Sequence, residues 1–236
     1  YQKQVFKALA DIMAAASAIP NVQFGEFCWW YFNNAAGMAY YDDETKSAAV
    51  AALGRALHVF SEPHGDPSVN GGADAEFLSN RLRDYVSTLA GYVRGFHPTA
   101  KIEVLYPCDV NHPTPAGVHS IGWRLNRFIN LPVEWERKET SGLDRLKIEA
   151  LDFGAWCRDL NLTRAAARFA LDLGWPPGSL RHMVPVFQPG YAWQKECTTA
   201  LGEGLSAVNL WAFDHVCLHN IDPNPFSQAA TARQMG

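Results

Sequence analysis

Carboxylates that directly follow apolar runs are the side chains of this sequence best suited to chemistry. Glu26 follows Val22-Gln23-Phe24-Gly25 and precedes an aromatic run that includes Trp29 and Trp30. A carboxyl group beside aromatic faces is desolvated, which raises its pKa and suits a general acid near neutral pH. The sequence therefore predicts Glu26 as a general acid/base. A purely structural role, in which its carboxylate accepts hydrogen bonds from backbone N–H groups, is the alternative.

Two aspartates are candidates for a second catalytic carboxylate. Asp109 follows Leu105-Tyr106-Pro107-Cys108, and Asp214 follows Trp211-Ala212-Phe213. We predict that one of them acts as base or charge stabiliser, although Asp109 could simply cap a turn. Asp152 is a third candidate. The distance between the two carboxyl groups would decide the stereochemistry, since about 5–5.5 Å suits retention and about 6.5–9.5 Å suits inversion.

Aromatic and amide side chains near these carboxylates suit a sugar substrate, because aromatic faces stack on sugar rings and amides bond to hydroxyl groups. The predicted substrate-binding residues are Trp29, Trp30, Tyr106, Asn111, Gln188, Trp193 and Trp211. For Trp211 the sequence is equally compatible with burial beneath a helix. The predicted ligand is an oligosaccharide or polysaccharide.

Five strand-like runs alternate with helical patterns, at residues 22–27, 102–106, 146–153, 183–187 and 207–213. Such alternation indicates crossover connections and a parallel sheet. Polar residues follow nearly every run, as in barrel enzymes, which build their sites at the carboxyl ends of strands. The sequence thus predicts an α/β fold of the (β/α)₈ TIM-barrel type, represented by roughly its C-terminal five βα units. An open doubly wound sheet is the alternative.

The predicted domain organisation is a single partial barrel over residues 1–236, with an inserted loop and helix region at about 33–73. Three further βα units would need roughly 80–100 residues at about 30 residues per unit. The sequence starts at Tyr1 inside a helical pattern formed by Val5, Leu9 and Ile12. We therefore expect either a missing upstream stretch or an additional polypeptide that completes the barrel.

Composition and motifs exclude several other classes of function. There are 20 Lys and Arg against 24 Asp and Glu, for a formal net charge of -4, and no basic block suits nucleic acid. No apolar run approaches the roughly 18 residues of a membrane span. No glycine-rich phosphate turn is present, and His215, Cys217 and His219 lack a fourth ligand. The sequence therefore predicts no cofactor and no metal.

Residues 22–32, followed by Tyr40-Tyr41-Asp42, a helix to Gly54 and the run 57–60, resemble the acid/base region of clan A glycoside hydrolases of the beta-galactosidase type. In those enzymes a Glu at the end of the fourth barrel strand precedes an insertion, a long helix and the fifth strand, a pattern that residues 74–106 fit. The runs 183–187 and 207–213 then correspond to strands seven and eight. The resemblance implies a TIM barrel with Glu26 as its acid/base.

Two departures from that family bear on activity. Gly25 stands where the family has Asn, and Gln188 stands where the nucleophilic Glu at the end of strand seven is expected. Gln cannot act as a nucleophilic carboxylate, and the nearest Glu is Glu196. The sequence is also similar to barrel domains of large phage-tail-type proteins. Two hypotheses follow: a glycoside hydrolase that cleaves or binds a glycan, and a non-catalytic barrel module with a structural or glycan-binding role.

Overall fold

Five parallel strands form one sheet in the computed structural model, which describes residues 1–25, 41–61, 66–67, 71–111, 124–155, 159–186 and 193–218. The strands are β1 (Asn21–Phe24), β2 (Lys101–Pro107), β3 (Arg145–Glu149), β4 (Leu180–Pro185) and β5 (Ala207–Trp211). Each strand pairs with the next along the chain. A doubly wound sheet reverses its strand order at a switch point, whereas a barrel keeps this sequential order. The predicted α/β partial barrel is confirmed.

Helices cover one side of the sheet and connect its strands. They are α1 (Gln2–Ala15), α2 (Asp43–Leu53), α3 (Gly72–Phe96), α4 (Cys108–Asn111), α5 (Arg124–Asn130), α6 (Lys138–Ser141), α7 (Leu151–Ala155), α8 (Leu160–Asp172), α9 (Trp193–Gly202) and α10 (Phe213–Leu218), with 3₁₀ turns at Val133–Glu136 and Pro177–Ser179. The 25-residue helix α3 is the main crossover from β1 to β2.

The ends of α2 follow the capping chemistry that its sequence predicts. Asp42 accepts a hydrogen bond from the Thr45 N–H at 2.9 Å, and Gly54 closes the helix in the left-handed conformation at φ 68°. The Asp42 and Gly54 caps act within α2 and its two ends, so their roles can be predicted from the sequence without knowledge of tertiary contacts.

Several predicted boundaries are wrong because a strand ends and a short helix begins within one apolar run. The predicted strand 146–153 stops at Glu149, and α7 takes up the remainder. The run 207–213 likewise stops at Trp211. Residues Cys108–Asn111, directly after β2, form the short helix α4. Strand β4 starts at Leu180 rather than at Met183, since the polar Arg181 and His182 interrupt the apolar pattern.

The sheet curls so that polar side chains meet on the face away from the helices, which we call the concave face. Arg145 donates to Asn21 and Lys147 donates to Gln23, joining β3 to β1 above β2. Strands two apart in a sheet are separated by about 9.6 Å, so these side chains meet because the sheet bends toward them. On the helix-facing side, Tyr106 stacks on Phe169 of α8 with ring centroids 5.2 Å apart.

Helix α1 buries a different face from the one that its apolar spacing suggests. Phe6 and Ala10 are buried, and the Phe6 ring lies 4.7 Å from that of Phe24 in β1. By contrast, the exposed fractions of Val5, Leu9 and Ile12 are 37%, 44% and 67%. These three residues form an apolar stripe that is uncovered by the described part of the chain.

All five described strands belong to one sheet. The single domain over residues 1–236 remains a prediction. The predicted insertion at 33–73 contains α2, and part of it lies outside the described residues.

A buried aspartate joins the start of α3 to the segment that follows α2. Asp74 has no exposed side-chain surface and accepts two hydrogen bonds from Arg55, at 2.8 and 2.6 Å, and one from the His58 N–H at 2.7 Å. The Arg55 guanidinium lowers the pKa of Asp74, and burial opposes this only in part.

Replacing Asp74 with Asn should therefore destabilise the fold in a pH-dependent manner. Because the folded-state pKa is lowered, the contribution is present above the unfolded value of about 3.9 and is lost as the pH falls through the folded value. At pH 7 we expect the free energy of unfolding to fall by about 1–3 kcal/mol in urea denaturation, and the difference to shrink at pH 3. Asp43→Asn, at an exposed carboxylate in α2, is the control, and equal losses in both variants would contradict the assignment.

Candidate functional site

A charged cluster occupies the middle of the concave face. Glu103 of β2 is fully buried; its carboxylate lies 2.9 Å from Lys147 Nζ and 3.2 Å from an Arg181 guanidinium nitrogen. Lys147 also donates to Gln23, so β1 to β4 each contribute one side chain. We call Gln23, Glu103, Lys147 and Arg181 the central cluster. It carries one positive charge in excess, held beneath the carboxyl ends of the strands.

A second layer of concave-face residues lies nearer those carboxyl ends. Side chains alternate along a strand, so residues two positions beyond the central cluster point the same way. The register aligns Glu149 of β3 with Pro107 of β2 and with Met183 of β4, and Met183 in turn with Asn209 of β5. Trp211 follows at the end of β5 and is 38% exposed. We call Glu149, Asn209 and Trp211 the upper layer.

Two of the predicted substrate-binding aromatics lie on the helix-facing side instead. Tyr106 is buried against Phe169, and burial raises its pKa well above the usual value. Trp193 of α9 is buried in a small apolar cluster with Val184 and Val186. Both side chains therefore pack between sheet and helices, away from the concave face.

The predicted residues Asp109 and Asn111 belong to a buried hydrogen-bond network around α4. Asp109 accepts a hydrogen bond from the Asp152 N–H at 2.8 Å, which ties the start of α7 to α4. Asn111 donates to the Pro107 carbonyl at 2.5 Å and accepts from Asn130 at 3.0 Å. This network fixes the chain where β2 and β3 end.

The remaining predicted carboxylate, Asp214, lies in α10 with 81% of its side chain exposed. The structure does not bring it together with Asp109. Four further predicted residues lie outside the described part of the chain: Glu26, Trp29, Trp30 and Gln188.

Glu196, the carboxylate nearest in sequence to the expected nucleophile position, pairs with a histidine behind the sheet. Its Oε1 lies 2.8 Å from His182 Nε2, and both side chains are almost completely buried. This pair joins α9 to the helix-facing side of β4. Glu196 is thus part of the packing between strand and helix.

Within the described ranges, no three His, Cys, Asp or Glu side chains group closely enough to hold a metal ion. No helix in those ranges is long and apolar enough to cross a membrane.

The central cluster and Glu149 are the features that motif reasoning missed. Their signal is a polar residue at every second position of an otherwise apolar strand, as in Arg145-Leu146-Lys147-Ile148-Glu149. That alternation predicts one polar face.

Among solved structures, the fold is similar to the crystal structure of the catalytic domain of beta-amylase from Paenibacillus polymyxa, with a TM-score of 0.57 and 14% sequence identity. The alignment covers 99% of this chain and 66% of that domain, so the chain spans about two thirds of its length. At this identity the likeness concerns the fold alone. No protein-family model and no curated protein matches the sequence.

Replacing Glu103 with Gln should be strongly destabilising, because it leaves two partly or fully buried cations without their carboxylate. We expect the free energy of unfolding to fall by about 3–5 kcal/mol, measured by urea denaturation. The apolar triple variant E103L/K147M/R181M should recover most of that loss, since no unpaired charge remains. Glu139→Gln, at an exposed site in α6, is the control. A loss below 1 kcal/mol in E103Q would contradict the role of the cluster.

Proposed function

We propose that this chain is a glycoside hydrolase-like protein that cleaves or binds a glycan at the carboxyl ends of its strands, with Glu26 as general acid/base. The observation that carries the proposal is the position of β1, which ends at Phe24, two residues before Glu26. Barrel enzymes place their catalytic groups directly after such strand ends. The fold shared with a beta-amylase catalytic domain supports a glycan as the ligand.

In hydrolysis, Glu26 would protonate the glycosidic oxygen as the bond from the anomeric carbon to that oxygen breaks. A second carboxylate would stabilise the developing positive charge or accept the proton of the attacking water. Asp109 and Asp214 remain our predictions for that role, and Trp29, Trp30, Gln188 and Trp211 for sugar binding. Tyr106 and Trp193 pack between sheet and helices and Asn111 lies in the α4 network, so they could reach a glycan only if their neighbours moved.

Gln188 favours the second candidate function, a non-catalytic barrel module of the kind carried by phage-tail-type proteins. An amide in place of the nucleophilic carboxylate would leave glycan binding possible while removing the retaining mechanism. The beta-galactosidase-type assignment itself also remains a proposal.

Replacing Glu26 with Gln separates these two functions. If Glu26 is the general acid, E26Q should reduce the hydrolysis of a chromogenic glycoside about 10²–10⁴-fold while leaving the thermal unfolding midpoint unchanged. Glu139→Gln serves as the matched surface control. Wild-type turnover in E26Q would refute the assignment of Glu26. Wild-type protein without turnover, whose Trp fluorescence is quenched saturably by oligosaccharides, would favour the non-catalytic module.

We further propose that an additional polypeptide segment completes the barrel beside β1. Strand β1 pairs with β2 on one side, and no strand within the described ranges pairs with its other edge. The exposed stripe of Val5, Leu9 and Ile12 lies on α1, the helix that packs against β1. A neighbouring βα unit would pair with that edge and cover the stripe with its helix.

If the stripe is a docking surface, the chain by itself should self-associate through it. The double variant L9K/I12K should abolish concentration-dependent association in sedimentation velocity, yet change the free energy of unfolding by no more than about 0.5 kcal/mol. Val133→Lys, at a site that is 72% exposed, should leave the association intact. A wild-type chain that stays monomeric at all concentrations, or equal effects of L9K/I12K and Val133→Lys, would contradict the prediction that the stripe mediates association.

A further inference from the structure

We propose that the upper layer, Glu149, Asn209 and Trp211, is a binding subsite for a neutral sugar, in which Glu149 accepts hydrogen bonds from sugar hydroxyl groups. The inference rests on the proposed glycan-binding function and identifies side chains for it that the sequence motifs did not indicate.

The contacts of the sheet establish which way Glu149 faces. Lys147, two residues earlier on β3, contacts Glu103 and Gln23 on the concave face. The intervening residue, Ile148, is buried, as are Leu146 and the helix-facing side chains of β1, β2 and β4. Because β3 is regular from Arg145 to Glu149, Glu149 projects from the same face as Lys147. It is therefore the last side chain of β3 on the concave face.

The net positive charge of the central cluster favours a carboxylate at position 149. Glu149 is only 5% exposed, and a buried carboxylate needs nearby donors or cations. The central cluster lies one layer deeper, about 6.6 Å along the strands, with one positive charge in excess. That excess charge favours a carboxylate at Glu149, and the position of Glu149 at the carboxyl end of β3 places it at the edge where a ligand would bind. Carboxylates accept strong hydrogen bonds from hydroxyl groups.

Asn209 supplies an independent observation that points to a ligand. Its Oδ1 is buried and has no hydrogen-bond partner among the described residues. A buried amide oxygen without a partner is costly, and a sugar hydroxyl would satisfy it. Trp211, two residues further along β5, exposes part of its ring at the rim. A carboxylate, an amide and an indole are together a suitable set for a sugar ligand that extends from β3 to β5.

The other predicted carboxylates, Asp109 and Asp214, are less well placed to bind a ligand at this edge. Asp109 accepts a hydrogen bond from the Asp152 N–H within the α4 network, and Asp214 extends into solvent from α10. Glu149 alone among these three lies within a strand and on the concave face.

Titration of the 236-residue chain with maltoheptaose, cellohexaose and chitohexaose, followed by calorimetry and Trp fluorescence, tests the subsite. We expect Glu149→Gln to weaken the binding of the preferred probe about 10–100-fold, as for loss of a hydrogen bond to a charged group. Asn209→Ala and Trp211→Ala should each weaken it at least 5-fold. The matched control is Glu196→Gln, which neutralises a buried glutamate on the opposite face of the sheet and should change the affinity less than 2-fold.

The possible outcomes separate this inference from the proposed function. If the wild-type chain binds a probe and E149Q binds it within 2-fold, the subsite is refuted and glycan binding stands. If the wild-type chain binds none of the probes, both are refuted. If E149Q does not fold, the affinities of Asn209→Ala and Trp211→Ala test the subsite. Unchanged affinity in both variants refutes it. Equal weakening by E149Q and E196Q would indicate a general loss of stability and would also refute it.

Discussion

The ion pairs of Glu103 with Lys147 and Arg181 are the constraint on which the sheet depends. A carboxylate without solvent access needs its cations, and these come from the next two strands. Lys147 in turn reaches back to Gln23 of β1. Four strands are thereby fixed in one register by side chains as well as by backbone hydrogen bonds, and the same contacts stabilise the curl of the sheet.

The helix-facing and concave sides of the sheet consequently have different chemistry. On the helix-facing side, polar groups are paired locally within a close-packed core, as His182 is with Glu196 and Asn111 with Asn130. On the concave side, polar side chains of the central cluster and the upper layer lie beside apolar residues such as Leu105 and Met183. Candidate residues chosen by type alone fall on both sides. The side chains on the concave face point toward one common space.

Much of the fold could be predicted from the sequence, because local patterns determine it. Alternating strands and helices predicted the parallel partial barrel, and Asp42 and Gly54 marked the ends of α2. The site was less predictable. An apolar run does not reveal where a strand gives way to a helix, so Asp152 and Asp214 were placed at strand ends although they lie in α7 and α10. Similarly, apolar spacing on α1 predicted a helix but not which of its two apolar faces, that of Phe6 or that of Leu9, packs on the sheet.

The hydrogen bonds that join β3 to β1 across β2 also affect how the sheet unfolds locally. Strand β2 has neighbours on both edges, helices beneath it, and the Arg145–Asn21 and Lys147–Gln23 contacts above it. Its amides can exchange with solvent only when three strands separate together, so β2 belongs to the most cooperative unit of the fold. Strand β5 is partly exposed along its length and carries the outermost residues of the upper layer. We therefore expect local opening to be easier at β5 than at the charged centre of the sheet.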